Sequence, residues 1–169
     1  MKKLLKSVFL CGITVCLFLI VAFLTSCSKS KNYNAILYDN AVEWINADFA
    51  DSHRVAGALY TDAQQNGENF PRSRFFIVDS RTAAEGIFGD SFDLEVDYEN
   101  EMLVVYTFSI EYILPAYIDS ISLNGTTLTV NCKIKHIQGA GTACQPYQRW
   151  FIVKLDKLDI DSVVFGKIS

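Results

Sequence analysis

Histidine is scarce in this chain: its 169 residues hold two, His53 and His136. Neither belongs to a His-Glu-x-x-His pair, and no Cys/His spacing suits zinc, so the sequence offers no ligand set for a metalloprotease or a structural zinc site. The Gly-x-Ser-x-Gly elbow of serine hydrolases is also missing. Gly139-Ala140-Gly141 contains a Gly-x-Gly, but Thr142-Ala143-Cys144-Gln145-Pro146 follows it and opens no helix on which a phosphate could rest. This stretch reads as a flexible β-connection. Internal repeats and low-complexity blocks are lacking too. No catalytic constellation, metal site or cofactor is expected.

Charge is absent from one long stretch. Met1-Lys2-Lys3-Leu4-Leu5-Lys6 precedes 22 uncharged, mostly apolar residues from 7 to 28. A positive start followed by an apolar run is the pattern of a secretory signal. The run is also long enough to cross a bilayer as an uncleaved helix. Under either reading Lys2, Lys3 and Lys6 favour a cytoplasmic N-terminus, which puts the rest of the chain outside.

Leu24-Thr25-Ser26-Cys27 separates the two readings. An aliphatic residue, two small ones and a cysteine, at this distance from the lysines, resemble the lipobox of bacterial prolipoproteins. The resemblance covers residues 1–27. It implies diacylglycerol on the Cys27 thiol and cleavage between Ser26 and Cys27. It also implies a membrane partner held through that lipid. Ser28 carries no acidic retention signal, so an outer-membrane destination is open if the organism has a second membrane. The expected organisation is a signal peptide over 1–26, the lipidated cysteine and a polar tether over 27–34, and one globular domain over 35–169. The seven residues from 28 to 34 reach at most about 25 Å when extended, which keeps the domain close to the membrane.

Positive charge is in short supply once the leader is removed. Losing Lys2, Lys3 and Lys6 leaves 12 basic residues against 19 acidic ones, a balance of −7. Such a surface argues against nucleic acid or anionic headgroups as partners. The remaining 143 residues can bury roughly 70% of their unfolded surface, enough for a core without metal or disulfide.

The periodicity of the mature part is mainly β. Residues 41–51 place Val42, Ile45 and Phe49 on one helical face, with Asn40 and Glu43 at capping-box spacing. A strand is expected over Val55–Tyr60, a loop over 61–73 and a strand over Arg74–Val78. Ser80 to Phe88 reads as a brief helix with Thr82 and Glu85 at capping spacing. Met102–Phe108 is nearly all apolar and reads as a central strand buried on both faces. Tyr117–Leu123 and Thr126–Ile137 flank Asn124-Gly125, a type I′ hairpin signal. In the second of these strands Leu128, Val130, Cys132 and Ile134 face one way, and Thr127, Thr129, Asn131, Lys133 and Lys135 the other. Arg149–Leu155 and Ser162–Phe165 complete the set. The expected fold is α+β: β-rich, a mostly antiparallel curled sheet or sandwich, with one or two N-terminal helices.

Three features are candidates for function. Asp90, Asp93, Glu95, Asp97, Glu99 and Glu101 put six carboxylates in twelve residues, five of them spaced by two with Leu94, Val96 and Tyr98 between. This pattern predicts a solvated strand or strand edge with one acidic and one apolar face, with a weak cation site as its alternative; the Asp-x-Asp-x-Asp-Gly calcium loop is not matched. Cys132 and Cys144 are the domain's two thiols. A Cys132–Cys144 bridge needs Cα atoms within about 7 Å, which a strand and its distant loop satisfy only if the loop folds back. Cys132 as a small core hydrophobe is the favoured alternative. Tyr147, Arg149 and Trp150, after Pro146, are residue types enriched at interface hot spots, and so form a candidate interaction patch. Its alternative has Trp150 in the core and Arg149 solvated.

Gly141-Thr142, then Pro146-Tyr147, then an apolar strand ending in Lys154 is similar to the C-terminal domain of PrcB-type bacterial envelope proteins. The likeness spans at most residues 102–155 and implies a β-rich envelope module, with no site carried over. Together these readings lead to a non-catalytic envelope lipoprotein that binds a protein or small ligand. The alternatives are an envelope hydrolase using the Asp90–Glu101 carboxylates and a structural assembly subunit.

Overall fold

The computed structural model describes residues 33–57, 70–110, 114–135 and 146–166. Among these described residues, seven strands form two sheets. β1 (Ile36–Tyr38), β6 (Tyr147–Asp156), β3 (Glu101–Ile110) and β2 (Ser73–Val78) lie in that order in an antiparallel sheet. β4 (Ala116–Asn124), β5 (Thr127–Ile134) and β7 (Ser162–Phe165) form the second. β4 and β5 pair antiparallel, and β7 joins β5 in parallel. The helices are α1 (Ala47–Ser52) and α2 (Arg81–Glu85), with a 3₁₀ turn at Val42–Trp44. Among the described residues no helix is long and apolar enough to cross a membrane.

The expected α+β architecture is present, as a sandwich with a third, irregular layer. The alternation of β3 and β6 explains the layers. Met102, Val104 and Phe108 of β3 and Phe151, Val153 and Leu155 of β6 point into one core. There they meet Ile121, Leu128, Val130, Cys132 and Val163 of the second sheet. Leu103, Val105, Trp150 and Ile152, on the opposite pleat, face a second core with Ala41, Ile45, Ala84, Ile87 and Phe88. β3 is therefore buried on both faces, which is why its sequence is nearly all apolar. β5 alternates as expected: Leu128, Val130 and Cys132 are buried, whereas Lys133 and Lys135 are exposed.

Several local expectations are corrected. Residues 41–51 do not form one helix. At Ile45 the backbone is extended, and Ile45 bridges Phe88. Asn46 N–H donates to the Ile87 carbonyl at 2.9 Å, and Gly89 N–H to that of Trp44 at 2.9 Å. These cross-links replace intrahelical bonds, and α1 starts afresh with Asn46, not Asn40, as its cap. The Asn46 side chain accepts from the amides of Asp48 and Phe49. α2 ends at Glu85, short of Phe88, and is capped by Ser80, not by a Thr82–Glu85 box.

Val55–Gly57, the described part of the Val55–Tyr60 strand, is a turn with Gly57 at φ +91°. The β4–β5 hairpin forms, but Asn124 pairs with Thr127, so its loop is Gly125-Thr126. Gly125, at φ +59°, is the loop residue with positive φ, which fits a type II′ turn instead of type I′. β5, which carries Cys132, and β6 lie in different sheets and do not pair with each other.

Candidate functional site

The acidic segment is the most informative departure. Its burial alternates with period two: Asp93, Glu95 and Asp97 are exposed, while Phe92, Leu94, Val96 and Tyr98 are partly buried. Yet residues 92–97 belong to no strand. They lie across the face of the first sheet, with Leu94, Val96 and Tyr98 packed on the second core. Lysine amines take the place of a neighbouring strand. Lys154 Nζ donates to the Glu95 carbonyl at 2.8 Å, and Lys157 Nζ to the Tyr98 carbonyl at 2.6 Å. Lys154 also pairs with Glu101 at 2.9 Å.

The segment ends in a turn built on Asp97. Its carboxylate accepts from the Glu99 amide at 3.1 Å and from Asn100 Nδ2 at 2.8 Å. Asp97 N–H in turn donates to Glu101 Oε2 at 2.9 Å. The Asn100 side chain, then the Glu99 amide, hold the Asp97 carboxyl below its ordinary range. The Asp97 amide, then Lys154, do the same for Glu101.

Because this segment lies over the sheet instead of within it, a cleft of about 670 Å³ opens between it and α2. Ala84, Phe88, Phe92, Leu94 and Val96 supply apolar lining, and Arg81, Glu85, Asp90, Asp93 and Glu95 supply charge. Phe88 and Phe92 stack with ring centroids 4.0 Å apart, and Trp44 and Phe92 make a T-shaped contact at 5.7 Å. Tyr98 also lines the cleft. Its hydroxyl is buried and, among the described side chains, is the buried polar atom with no hydrogen-bond partner. Burial raises its pKa, an effect that the nearby Arg81 guanidinium opposes. Among the described residues no three His, Cys, Asp or Glu side chains gather closely enough to hold a metal ion.

The interaction patch expected at Tyr147, Arg149 and Trp150 is not an exposed surface. Arg149 and Trp150 are 4% and 2% exposed, and Tyr147 is half-buried at the start of β6. Trp150 packs in the second core beside Phe49. Arg149 is not solvated either. Its Nε donates to the Asp39 carbonyl at 2.8 Å, and one terminal nitrogen donates to the Leu114 carbonyl at 2.9 Å. The other pairs with the Asp39 carboxylate at 3.2 Å. A buried guanidinium needs such acceptors, which turns a hot-spot residue type into an internal fastener.

Cys132 is a free, buried thiol whose pKa burial pushes up to about 12. His53 is half-buried, stacked on Phe49 at 4.1 Å, with Nδ1 2.8 Å from the Phe49 carbonyl. Ser26, Cys27, His136, the Gly139–Gly141 stretch and Cys144 lie outside the described residues.

Sequence reading singled out the acidic side of the cleft and missed the α2 side, Arg81, Glu85 and Phe88. The available signal was the two-faced segment itself, whose apolar face needed something to cover. Against known family models, curated proteins and solved structures, the chain has no match. The fold and the cleft thus define it by class alone, an α+β sandwich with a charged, aromatic-floored cleft on its helical side.

Proposed function

We propose that this protein is a bacterial envelope lipoprotein whose domain is a binding module and not an enzyme. Leu24-Thr25-Ser26-Cys27 supports lipid attachment at Cys27 and an extracytoplasmic domain. That domain is held at the cell membrane, or at the outer membrane where one exists. The observation that carries the binding role is the cleft between α2 and residues 92–98, where aromatic and aliphatic side chains line an open concavity beneath a charged rim. A small ligand fits its size; nucleic acid does not fit a charge balance of −7 after the leader.

The cleft also bears on the hydrolase alternative, because four carboxylates line it. A carboxylate pair doing acid–base work needs one member held neutral by its surroundings. Glu85, Asp90, Asp93 and Glu95 all belong to exposed residues, which favours binding over hydrolysis.

Two measurements test the proposal. Fatty-acid labelling with the mass of the mature chain tests the anchor: Cys27→Ser should lose the lipid and remain an unprocessed precursor. Cleavage of that variant at the same bond would overturn the lipoprotein reading. A small-molecule screen read by the methyl resonances of Leu94 and Val96 tests the cleft. Hits that leave both unmoved while shifting other methyls would place binding elsewhere.

A further inference from the structure

The rim of the cleft is one-sided in charge. Among the described lining residues, Glu85, Asp90, Asp93 and Glu95 share the cleft with one cation, Arg81. None of the four carboxylates makes an ion pair or side-chain hydrogen bond among the described residues, and Arg81 stands one helical turn from Glu85 without pairing to it. Lys154 and Lys157, the nearby lysines, are engaged with Glu101 and with backbone carbonyls. Four carboxylates against Arg81 give the rim an excess of negative charge, of which the Lys157 ammonium, held by the Asp79 and Tyr98 carbonyls, offsets a part.

What lies beneath that rim narrows the occupant. A bare metal ion needs oxygens wrapped closely round one point, and the described side chains do not gather so. The floor is Phe88 stacked on Phe92, with Leu94 and Val96 beside them. An aromatic face attracts an organic cation and also packs against its apolar body.

We infer that the cleft binds a small amphipathic organic cation, an amine with an aromatic or alkyl body, whose positive group meets the Glu85–Asp90–Asp93–Glu95 rim and whose body rests on Phe88 and Phe92. This rests on the reading of the cleft as a binding site and adds the chemical class of its ligand. A neutral molecule of the same shape would leave the carboxylates unbalanced, and an anion would be repelled by all of them but attracted by Arg81 alone.

Three probes sharing one ring separate the terms: tryptamine, indole-3-ethanol and indole-3-acetate. Each is titrated into the full, lipid-bearing chain in neutral detergent micelles, with the Leu94 and Val96 methyl resonances reporting occupancy of the cleft. Tryptamine should bind about tenfold more tightly than the alcohol, the sum of several modest, screened ion contacts, and its advantage should shrink at high salt. Neutralising the rim with Glu85→Gln, Asp90→Asn, Asp93→Asn and Glu95→Gln, all exposed positions, should remove that advantage while the alcohol binds as before. If all three probes move the Leu94 and Val96 methyls with equal affinity, the cleft is a binding site and the cation inference fails. Preference for the acetate overturns the inference in favour of Arg81. If none of the three shifts those methyls, the inference and the cleft reading fail together.

Discussion

Arg149 on β6 and Asp39, just after β1, form an ion pair in which the guanidinium is almost wholly buried and the carboxylate is about one-third exposed. The contact does more than neutralise charge. Asp39 Oδ2 also accepts from the Ala116 amide at the start of β4 at 2.7 Å, and Arg149 reaches the Leu114 carbonyl. One pair thus joins the edge of the first sheet to the opening of the second.

Removing the carboxylate from this pair should be costly. Asp39→Ala takes one carboxylate from a buried guanidinium and removes the acceptor that Asp39 Oδ2 offers the Ala116 amide. A loss on the order of 3 kcal/mol is expected in chemical denaturation. The double variant Asp39→Leu with Arg149→Met, which removes both charges, should recover much of it. If the double variant is as unstable as the single one, the pair does not act as a unit.

Cys132 should be chemically silent in the folded protein. The thiolate is the reactive form, and burial in the inter-sheet core pushes the thiol pKa up to about 12. Alkylation followed by peptide mapping should modify Cys132 only after denaturation. Cys132→Ser should cost about 1–3 kcal/mol, because a hydroxyl at that position is buried without a partner. Rapid labelling of Cys132 in the native protein would contradict its place in the core.

Tyr98→Phe should behave in the opposite sense. It deletes a buried hydroxyl that satisfies no partner, so the folded state loses no hydrogen bond and sheds a desolvation penalty. Stability in the absence of ligand should hold or rise by up to about 1 kcal/mol. A loss larger than that in a thermal or urea melt would reveal a partner for Tyr98 Oη.

Acid should loosen the turn that closes the acidic segment. Asp97 and Glu101 both have carboxyls held below their ordinary range in the folded protein. The unfolded chain therefore takes up protons first. The stability they contribute is complete above the ordinary carboxylate pKa, about 4, and is lost as pH falls through the lower folded values. Urea midpoints followed from about pH 6 to about pH 3 should fall more gently for Asp97→Ala than for the parent chain. Parallel slopes would show that this turn does not contribute.

Much of the fold was legible because alternation states which face of a strand is apolar. It placed Leu128, Val130 and Cys132 inside, and it marked Met102–Phe108 as buried on both sides. For residues 92–98 the same alternation described burial correctly and secondary structure wrongly. Period two records which side chains need cover, and it carries no information about whether a strand lies alongside to complete a ladder.

By itself, then, the sequence determined the β-rich α+β class, the two-sided burial of β3, the hairpin between β4 and β5, and the expectation of a lipid on Cys27. Tertiary structure alone decided the rest. Arg149 looked like a surface anchor because its acceptors, Asp39 and Leu114, stand 110 and 35 residues away. The helix expected over 41–51 broke because residues 87–89 offered its backbone other partners. The cleft exists because α2 and the acidic segment cover one sheet face without closing on each other. For Arg149 and for residues 41–51 the deciding contact joins residues far apart in the chain, and local periodicity fixes a side chain's direction without naming what it meets there.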